Sequence, residues 1–462
     1  MSKQKPVNAQ MKVLVARGML LTLFVALQAG AAASPSREAT QPAIPHPLTL
    51  PAAWELALQV HPDLRVVRAN LSVARADSLY AGVAAFNPEV QLQVARGGET
   101  LGSGTDGSLG LTVSQEFELW GKRGARESVA TARSQTVAAE WNAKRQEIES
   151  GIRGQFERAL YLQDRVETLA ELADLDRRVV TATQARVRDG STTPLTGRMT
   201  ELDLLRAEAQ GSRARSEHRQ AMIALALTIG CELPDSTRLS GELSADSLQA
   251  PEDSVVALAL RARVEGEVLR RRIGERTAEL DLAEREGRPN VTVGAGLARE
   301  RASFSGSDFS GDPTIVGGIT GARSTDNLWT LGISIPLPLW QKNQAGRARA
   351  SAEIIQSQAE YDRYRLRTRM EVLGVARRFQ DAADLYSLYL QRSTRVRQDL
   401  VLIREAYADG RISLDSYLTQ KGRLVDTLIG QLDAAAAYWE ARGELEAAAS
   451  LDLTTLNAGG SR

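Results

Sequence analysis

Residues 109–120 read LGLTVSQEFELW, and residues 329–340 read WTLGISIPLPLW. In the first, Leu109, Leu111, Val113, Phe117 and Leu119 alternate with Thr112, Ser114, Glu116 and Glu118. In the second, Trp329, Leu331, Ile333, Ile335, Leu337 and Leu339 alternate with Thr330, Gly332, Ser334, Pro336 and Pro338. A period of two places apolar side chains on one face of a strand and polar ones on the other. Each segment is about 9–11 residues, the length that crosses a bilayer as a tilted strand. A partner strand precedes each. Val90, Leu92 and Val94 alternate with Glu89, Gln91 and Gln93; Val291, Val293, Ala295 and Leu297 alternate with Asn290, Thr292, Gly294 and Gly296. The expected strands are about 88–96, 108–119, 289–299 and 328–339. The stretch Arg301 to Asn327, rich in Gly and Ser, reads as a long loop.

The two segments are halves of an internal repeat. Trp120 recurs as Trp340, and Asp189-Gly190 as Asp409-Gly410, both at an offset of 220. Before the first strand, residues of about 49 to 85 read as helix, which Pro88 ends. After each second strand a helical pattern runs for about seventy residues. Ile152, Ala159, Val166, Ala173 and Val180 are spaced by sevens, as are Leu418, Val425, Leu432 and Trp439, with Leu428 and Ala435 interleaved. Such seams mark coiled coils. Each long helix stops at its Asp-Gly pair, where glycine takes the left-handed conformation, and a second helix returns. The partition is 48–231 for the first repeat, with a tip near 189–196, and 252–451 for the second, with a tip near 409–416. Residues 232–251 read as a linker and 452–462 as a flexible tail.

Composition excludes much. Lys plus Arg and Asp plus Glu are both 57, so the net charge is zero, which argues against a nucleic-acid partner. Aromatics are 5 % and alanines number 66, which suits long helices with narrow seams rather than a thick globular core. A single cysteine, Cys231, forms no disulfide within the chain. It reads as a small buried residue in an apolar helix end. His46, His61 and His218 are scattered. No metal-ligand spacing and no catalytic motif stands in the chain, so neither enzyme nor cofactor is expected. His61, before Pro62, reads as structural. Lys3, Lys5, Lys12 and Arg17, the apolar run Gly18 to Leu27 and Ala31-Ala32-Ala33 form a signal-peptide pattern over residues 1–33. Residues 34–47 follow as a flexible segment, and no cysteine there offers a lipid anchor.

Four strands are too few to close a membrane barrel, and an open sheet would leave backbone groups unpaired in lipid. The sheet must therefore close with other chains. Two chains give eight strands and three give twelve; eight-stranded barrels are filled by side chains, twelve leave a lumen. The small residues Gly294, Gly296, Gly332 and Ser334 favour the lumen. Trp120 and Trp340, at strand-to-helix junctions, fit an aromatic girdle at the membrane interface; ordinary core tryptophans are the alternative.

The chain resembles the TolC-like outer-membrane efflux proteins. The likeness runs from Leu48 to about Leu451 and is carried by LPAAWELALQVHP (50–62), by the segments 114–126 and 332–344, and by the turns at Gly190 and Gly410. SQEFELWGKRGAR and GISIPLPLWQKNQAGRA look most like the cobalt–zinc–cadmium branch. The resemblance implies a mainly α fold with a small membrane β part: a homotrimer with a twelve-stranded barrel and a helical periplasmic tunnel. It implies a passive exit duct in the outer-membrane lipid, partnered by a periplasmic adaptor and a proton-driven inner-membrane pump. Adaptor docking and the entrance fall on the tips: Asp189, Gly190, Pro194, Arg198, Asp409, Gly410 and Arg411. Arg198 and Arg411 read either as partners of acidic residues on neighbouring helices or as solvated side chains. Asp415 is either an acidic constriction ring or a helix N-terminal residue that offsets the dipole. Many members place the acid one position later, where this chain has Ser416. The substrate reads as heavy-metal cations, with drug efflux, protein secretion or a pore-free coiled-coil adaptor as alternatives.

Overall fold

A computed structural model describes residues 44–95, 104–243, 245–305, 321–393 and 395–460. The signal-peptide segment 1–33 and most of 34–47 lie outside them. The chain from Pro45 onward is one compact unit.

Each repeat opens with two helices joined at a bend: α1 (Leu50–Val60) and α2 (Pro62–Ala81), then α5 (Glu252–Ala262) and α6 (Val264–Glu286). The helix expected over about 49–85 is thus divided. Pro62 forces His61 into extended backbone, φ −60° and ψ 122°. His61 is buried and structural: its Nδ1 accepts the Asp63 amide at 3.1 Å and caps α2. That geometry needs neutral Nδ1, and burial lowers the imidazole pKa.

The strands follow: β1 (Glu89–Ala95), β2 (Gly104–Phe117), β3 (Val291–Ser305) and β4 (Gly321–Ser334). They form one antiparallel sheet in the order β1-β2-β3-β4. Several expected boundaries are corrected, and β2 begins at Gly104 rather than near 108. The stretch read as a loop supplies strand at both ends, because β3 runs on to Ser305 and β4 begins at Gly321. β4 also stops at Ser334 rather than near 339. Pro336 and Pro338 have no N–H to give a ladder, so the apolar alternation outlasts the strand.

The hairpins come next. In the first, α3 (Lys122–Arg188) runs 67 residues, about 100 Å, and α4 (Pro194–Ile229) returns along it. In the second, the outgoing helix is interrupted: α7 (Gln344–Ser393) and α8 (Val396–Ala408) replace one rod, and α9 (Leu414–Ala449) returns. Ile152, Ala159, Ala173 and Val180 are buried as a seam should be. On α9 the interleaved Leu428 and Ala435 are buried with Trp439, while Leu418, Val425 and Leu432 are half-buried. Leu428 joins Leu169, Leu172, Ala214, Val396 and Leu400 in a cluster that binds the two hairpins together.

Two further readings change. Residues 453–460, expected to be flexible, form α10 (Leu453–Gly460), with Leu453 and Leu456 fully buried. The Leu453 amide donates to Glu446 Oε1 at 3.0 Å. Cys231 is half-buried rather than buried, because Gly230 ends α4 just before it. The linker 232–251 is irregular but docked: Leu239 bridges Leu48, and Tyr438 Oη donates to the Asp246 carbonyl at 2.8 Å.

Candidate functional site

The sheet has two unlike faces. Residues opposite one another across strands share a face, so the register gives rows. Val90, Val113, Ala295 and Leu331 form one; Leu92, Leu111, Leu297 and Trp329 form the next. These apolar rows are exposed. On the other face, Thr112, Gly296 and Thr330 are aligned. A Cβ on Gly296 would lie 2.6 Å from Thr330 Oγ1 and 3.0 Å from Thr112 Oγ1. A side chain at this position would meet both threonine hydroxyls, so glycine keeps this row of the polar face small. β1 and β4 are the edges, each with one unpaired row of backbone groups. A single chain thus presents an exposed apolar face, a small and polar face, and two edges in need of partners.

The junction beneath the sheet is a polar knot. Trp120 holds a positive φ of 64°, and Gly121 follows at 71°. Trp120 Nε1 donates to the Pro289 carbonyl at 3.0 Å, and the Arg288 guanidinium lies 5.5 Å from its ring centroid. Buried Lys122 donates to the Arg288 carbonyl at 2.6 Å and to Asn290 Oδ1 at 2.7 Å. Asn290 Nδ2 donates to Glu116 Oε1 at 2.6 Å, and Arg126 pairs with Glu118. In the second repeat the left-handed residue just before the helix is Asn343, at φ 56°, and its Nδ2 donates to the Ala283 carbonyl at 2.8 Å. Trp340 is 83 % exposed against 52 % for Trp120. Both stand at junctions as expected, but only Trp120 is tied down by its own indole.

The tips use one motif twice. At the first, Gly190 (φ 73°) donates to the Val187 carbonyl at 3.1 Å and Ser191 to Arg186 at 2.8 Å. At the second, Gly410 (φ 72°) donates to Tyr407 at 3.0 Å and Arg411 to Ala406 at 2.8 Å. Both are Schellman closures, with Asp189 and Asp409 as caps. Each returning helix has a hydroxyl cap, Thr193 or Ser413, and Pro194 takes the first helical position of α4. The tips touch: Arg186 donates to the Tyr407 carbonyl at 3.2 Å and stacks on its ring. Thr183 Oγ1 lies 3.0 Å from Tyr407 Oη, and Tyr407 stacks on Tyr417 at 5.0 Å. Asp415 lies exposed in the first turn of α9. Within the chain, Arg411 pairs with Asp409 of its own turn at 2.8 Å. Arg198 is exposed.

Sequence reading missed the charged group behind the tips. Lys421 Nζ lies 2.7 Å from Asp176 Oδ1 and 2.5 Å from Asp203 Oδ2, joining α9, α3 and α4. Lys421 is 9 % exposed and Asp176 is buried. Burial raises the Asp176 pKa against the pull of Lys421. Beside the triad, a cleft of about 350 Å³ is lined by Met199, Leu202, Leu418 and Val425. Leu195, Met199, Leu202 and Leu205 are exposed along α4. No local spacing marks three residues so far apart, so this site had no signal. Among the described residues, no group of three His, Cys, Asp or Glu side chains is placed to hold a metal ion, and no helix is long and apolar enough to cross a membrane.

The family model for outer membrane efflux proteins matches residues 53–231 and 267–450, the first repeat from α1 and the second from within α6, each to the end of its returning helix. The chain belongs to the outer membrane efflux protein family. The cobalt-zinc-cadmium resistance protein CzcC of Cupriavidus metallidurans is 25 % identical over 323 residues, 68 % of this chain and 69 % of CzcC. Among solved structures, the transmembrane channel CusC matches with a TM-score of 0.65 and 17 % identity, over 87 % of this chain and 91 % of CusC. The outer membrane channel CmeC of Campylobacter jejuni matches with a TM-score of 0.65 and 15 % identity, over 89 % of each chain. At these identities the structural likeness establishes the fold: a mainly helical efflux-channel chain with a four-stranded sheet.

Proposed function

We propose that this protein is the outer-membrane exit duct of a tripartite efflux pump and that its cargo is divalent heavy-metal cations. The sheet carries the reading. Its exposed apolar face needs lipid, and its two open edges need strands from other copies. Three copies supply twelve strands, enough to enclose a lumen lined by the small and polar face. Trp120 and Trp340 then lie at the periplasmic membrane interface. The hairpins extend about 100 Å from the membrane and put the tips at the entrance.

The entrance is Asp189, Gly190, Pro194, Arg198, Asp409, Gly410 and Arg411, where a periplasmic adaptor docks. The exposed Leu195, Met199 and Leu202 beside them offer it apolar area. Asp415 forms the constriction: exposed carboxylates repeated around a threefold axis concentrate negative potential and favour cations. An inner-membrane pump supplies the energy, so the duct itself needs no catalytic residue. The metal cargo rests on the likeness to CzcC.

The test is growth of a deletion strain on Co, Zn, Cd, Ni, Cu and Ag salts and on a panel of drugs, with the gene restored as control. Sensitivity to one or two cations is expected. Sensitivity to drugs alone would overturn the metal cargo and leave the duct in place.

A further inference from the structure

The apolar face of the sheet does not stay apolar to its far end. On β3 it runs Val291, Val293, Ala295, Leu297 and then continues as Arg299 and Arg301. Register fixes the face. Arg299 stands opposite Leu109 and Asn327, and Arg301 opposite Gly107 and Thr325. Leu297, one row nearer the helices, stands opposite Leu111 and Trp329. Both arginines are exposed. The residues paired with them across the ladder, Leu109, Asn327, Gly107 and Thr325, are uncharged. Glu300 and Asp326 stand opposite one another on the other face. Among the described residues, no hydrogen bond or ion pair engages either guanidinium.

An arginine on a lipid-facing strand is costly at the bilayer midplane and tolerated at its boundary. From Leu119 at the junction to Leu109, the exposed apolar positions of β2 cover about 33 Å of extended chain, about 25 Å of height at a tilt of about 40°, which is the height of an outer-membrane apolar band. Arg299 and Arg301 therefore begin where the hydrocarbon ends. They lie at the end of the sheet away from the hairpins. Given the outer-membrane reading above, on which this inference rests, that end meets the outer leaflet.

We propose that Arg299 and Arg301 form a lipid-binding rim that holds phosphorylated glycolipid headgroups of the outer leaflet against the barrel. A guanidinium matches a phosphate with two parallel N–H···O bonds, which an ammonium does not. Two guanidinium groups in successive rows of one face are spaced to grip phosphates on one headgroup or on neighbours. Three protomers repeat the pair around the barrel. The trade is favourable because the arginines, which engage no acidic partner among the described residues, gain one from the lipid.

The experiment uses the full-length protein purified and reconstituted in two kinds of vesicle. One is phosphatidylcholine alone; the other adds a bis-phosphorylated lipid A. Native mass spectrometry after detergent extraction counts glycolipid per trimer, and bilayer recording reads conductance. Wild-type protein is expected to retain lipid A. Arg299→Gln and Arg301→Gln are each expected to lower retention about fivefold, the factor for one basic side chain at an anionic surface. Conductance is expected to be unchanged. Arg299→Lys with Arg301→Lys is expected to recover part of the retention, and Lys342→Gln at the opposite end to change nothing. A conducting trimer that keeps its lipid A in the Gln variants overturns this rim alone. A wild-type protein that forms no conducting trimer in either vesicle overturns the membrane reading beneath it.

Discussion

In the first repeat the bend between the short helices falls at His61, and in the second it falls at Arg263. The backbone is nearly the same, φ −60° and ψ 122° against φ −66° and ψ 114°. The chemistry is not. His61 caps the next helix with its own Nδ1. At the second bend, Gln146 of α3 accepts the Val264 amide at 3.0 Å, and Arg263 reaches across to Glu371 at 3.1 Å. The junctions differ in the same way. Gly121 supplies a left-handed residue without a side chain, whereas Asn343 supplies it with an amide that bonds back to α6. The long helices differ more, since α3 is unbroken and its counterpart is divided between Ser393 and Val396. A duplicated fold thus conserves where the backbone must turn and lets side chains find separate ways to satisfy it.

The largest divergence lies in buried charge. At an offset of 220, Lys421 corresponds to exposed Glu201, buried Asp176 to buried Val396, and Asp203 to exposed Arg423. Lys421→Ala leaves two carboxylates facing one another inside the hairpins. It is expected to cost about 3–5 kcal/mol in chemical denaturation, the usual result of breaking a buried pair. Glu201→Ala is expected to cost under about 0.5 kcal/mol. Equal costs would mean that the triad does not hold the hairpins together.

The second contrast is Glu157, whose counterpart is exposed Arg377. Burial and the nearby Glu446 push the Glu157 carboxyl up to about 7, against the opposing pull of Arg442 and Arg153. A carboxyl raised in the folded state favours folding while it is protonated. Its contribution is full below about pH 4.5 and is lost as pH rises toward 7. Stability is expected to fall by up to about 1.4 kcal/mol per pH unit across that window from this site. Glu157→Gln is expected to flatten the profile, and Arg377→Gln to leave it unchanged. A profile insensitive to Glu157→Gln would contradict the burial argument.

The third contrast should vanish. Gly190→Ala and Gly410→Ala both place a Cβ on a left-handed residue, with nothing nearer than Arg186 Nη2 at 3.7 Å to either. Each is expected to cost about 1–2 kcal/mol. A clear inequality would show that the tips are not equivalent closures. The smallest effect concerns the tryptophans. Trp120→Phe loses the bond to Pro289 and is expected to cost about 1 kcal/mol. Trp340→Phe is expected to be near neutral in detergent.

Much of this was legible in the chain. Period-two alternation at Leu109–Phe117 gave the sheet and its faces, and Asp-Gly pairs gave the tips, because both signals are local. The ends of the strands were not legible. Alternation through Leu339 continues past Ser334, where two prolines stop the ladder, and Gly/Ser-rich residues near 301 and 327 pair all the same because a neighbour strand is there to receive them. The flexible tail failed for a related reason: Leu453 and Leu456 are buried, and their helix packs against α5, about two hundred residues upstream. At the candidate site, the turn glycines were readable from spacing. The Lys421 triad was not, because it exists only once three helices are side by side.

If four strands per chain close into a shared barrel, the protein is a trimer that conducts. Planar-bilayer recording of the purified protein, with its mass measured in the same detergent, tests it most directly. A three-subunit mass and a steady single-channel conductance are predicted. A monomer, or a trimer that passes no current, would contradict it.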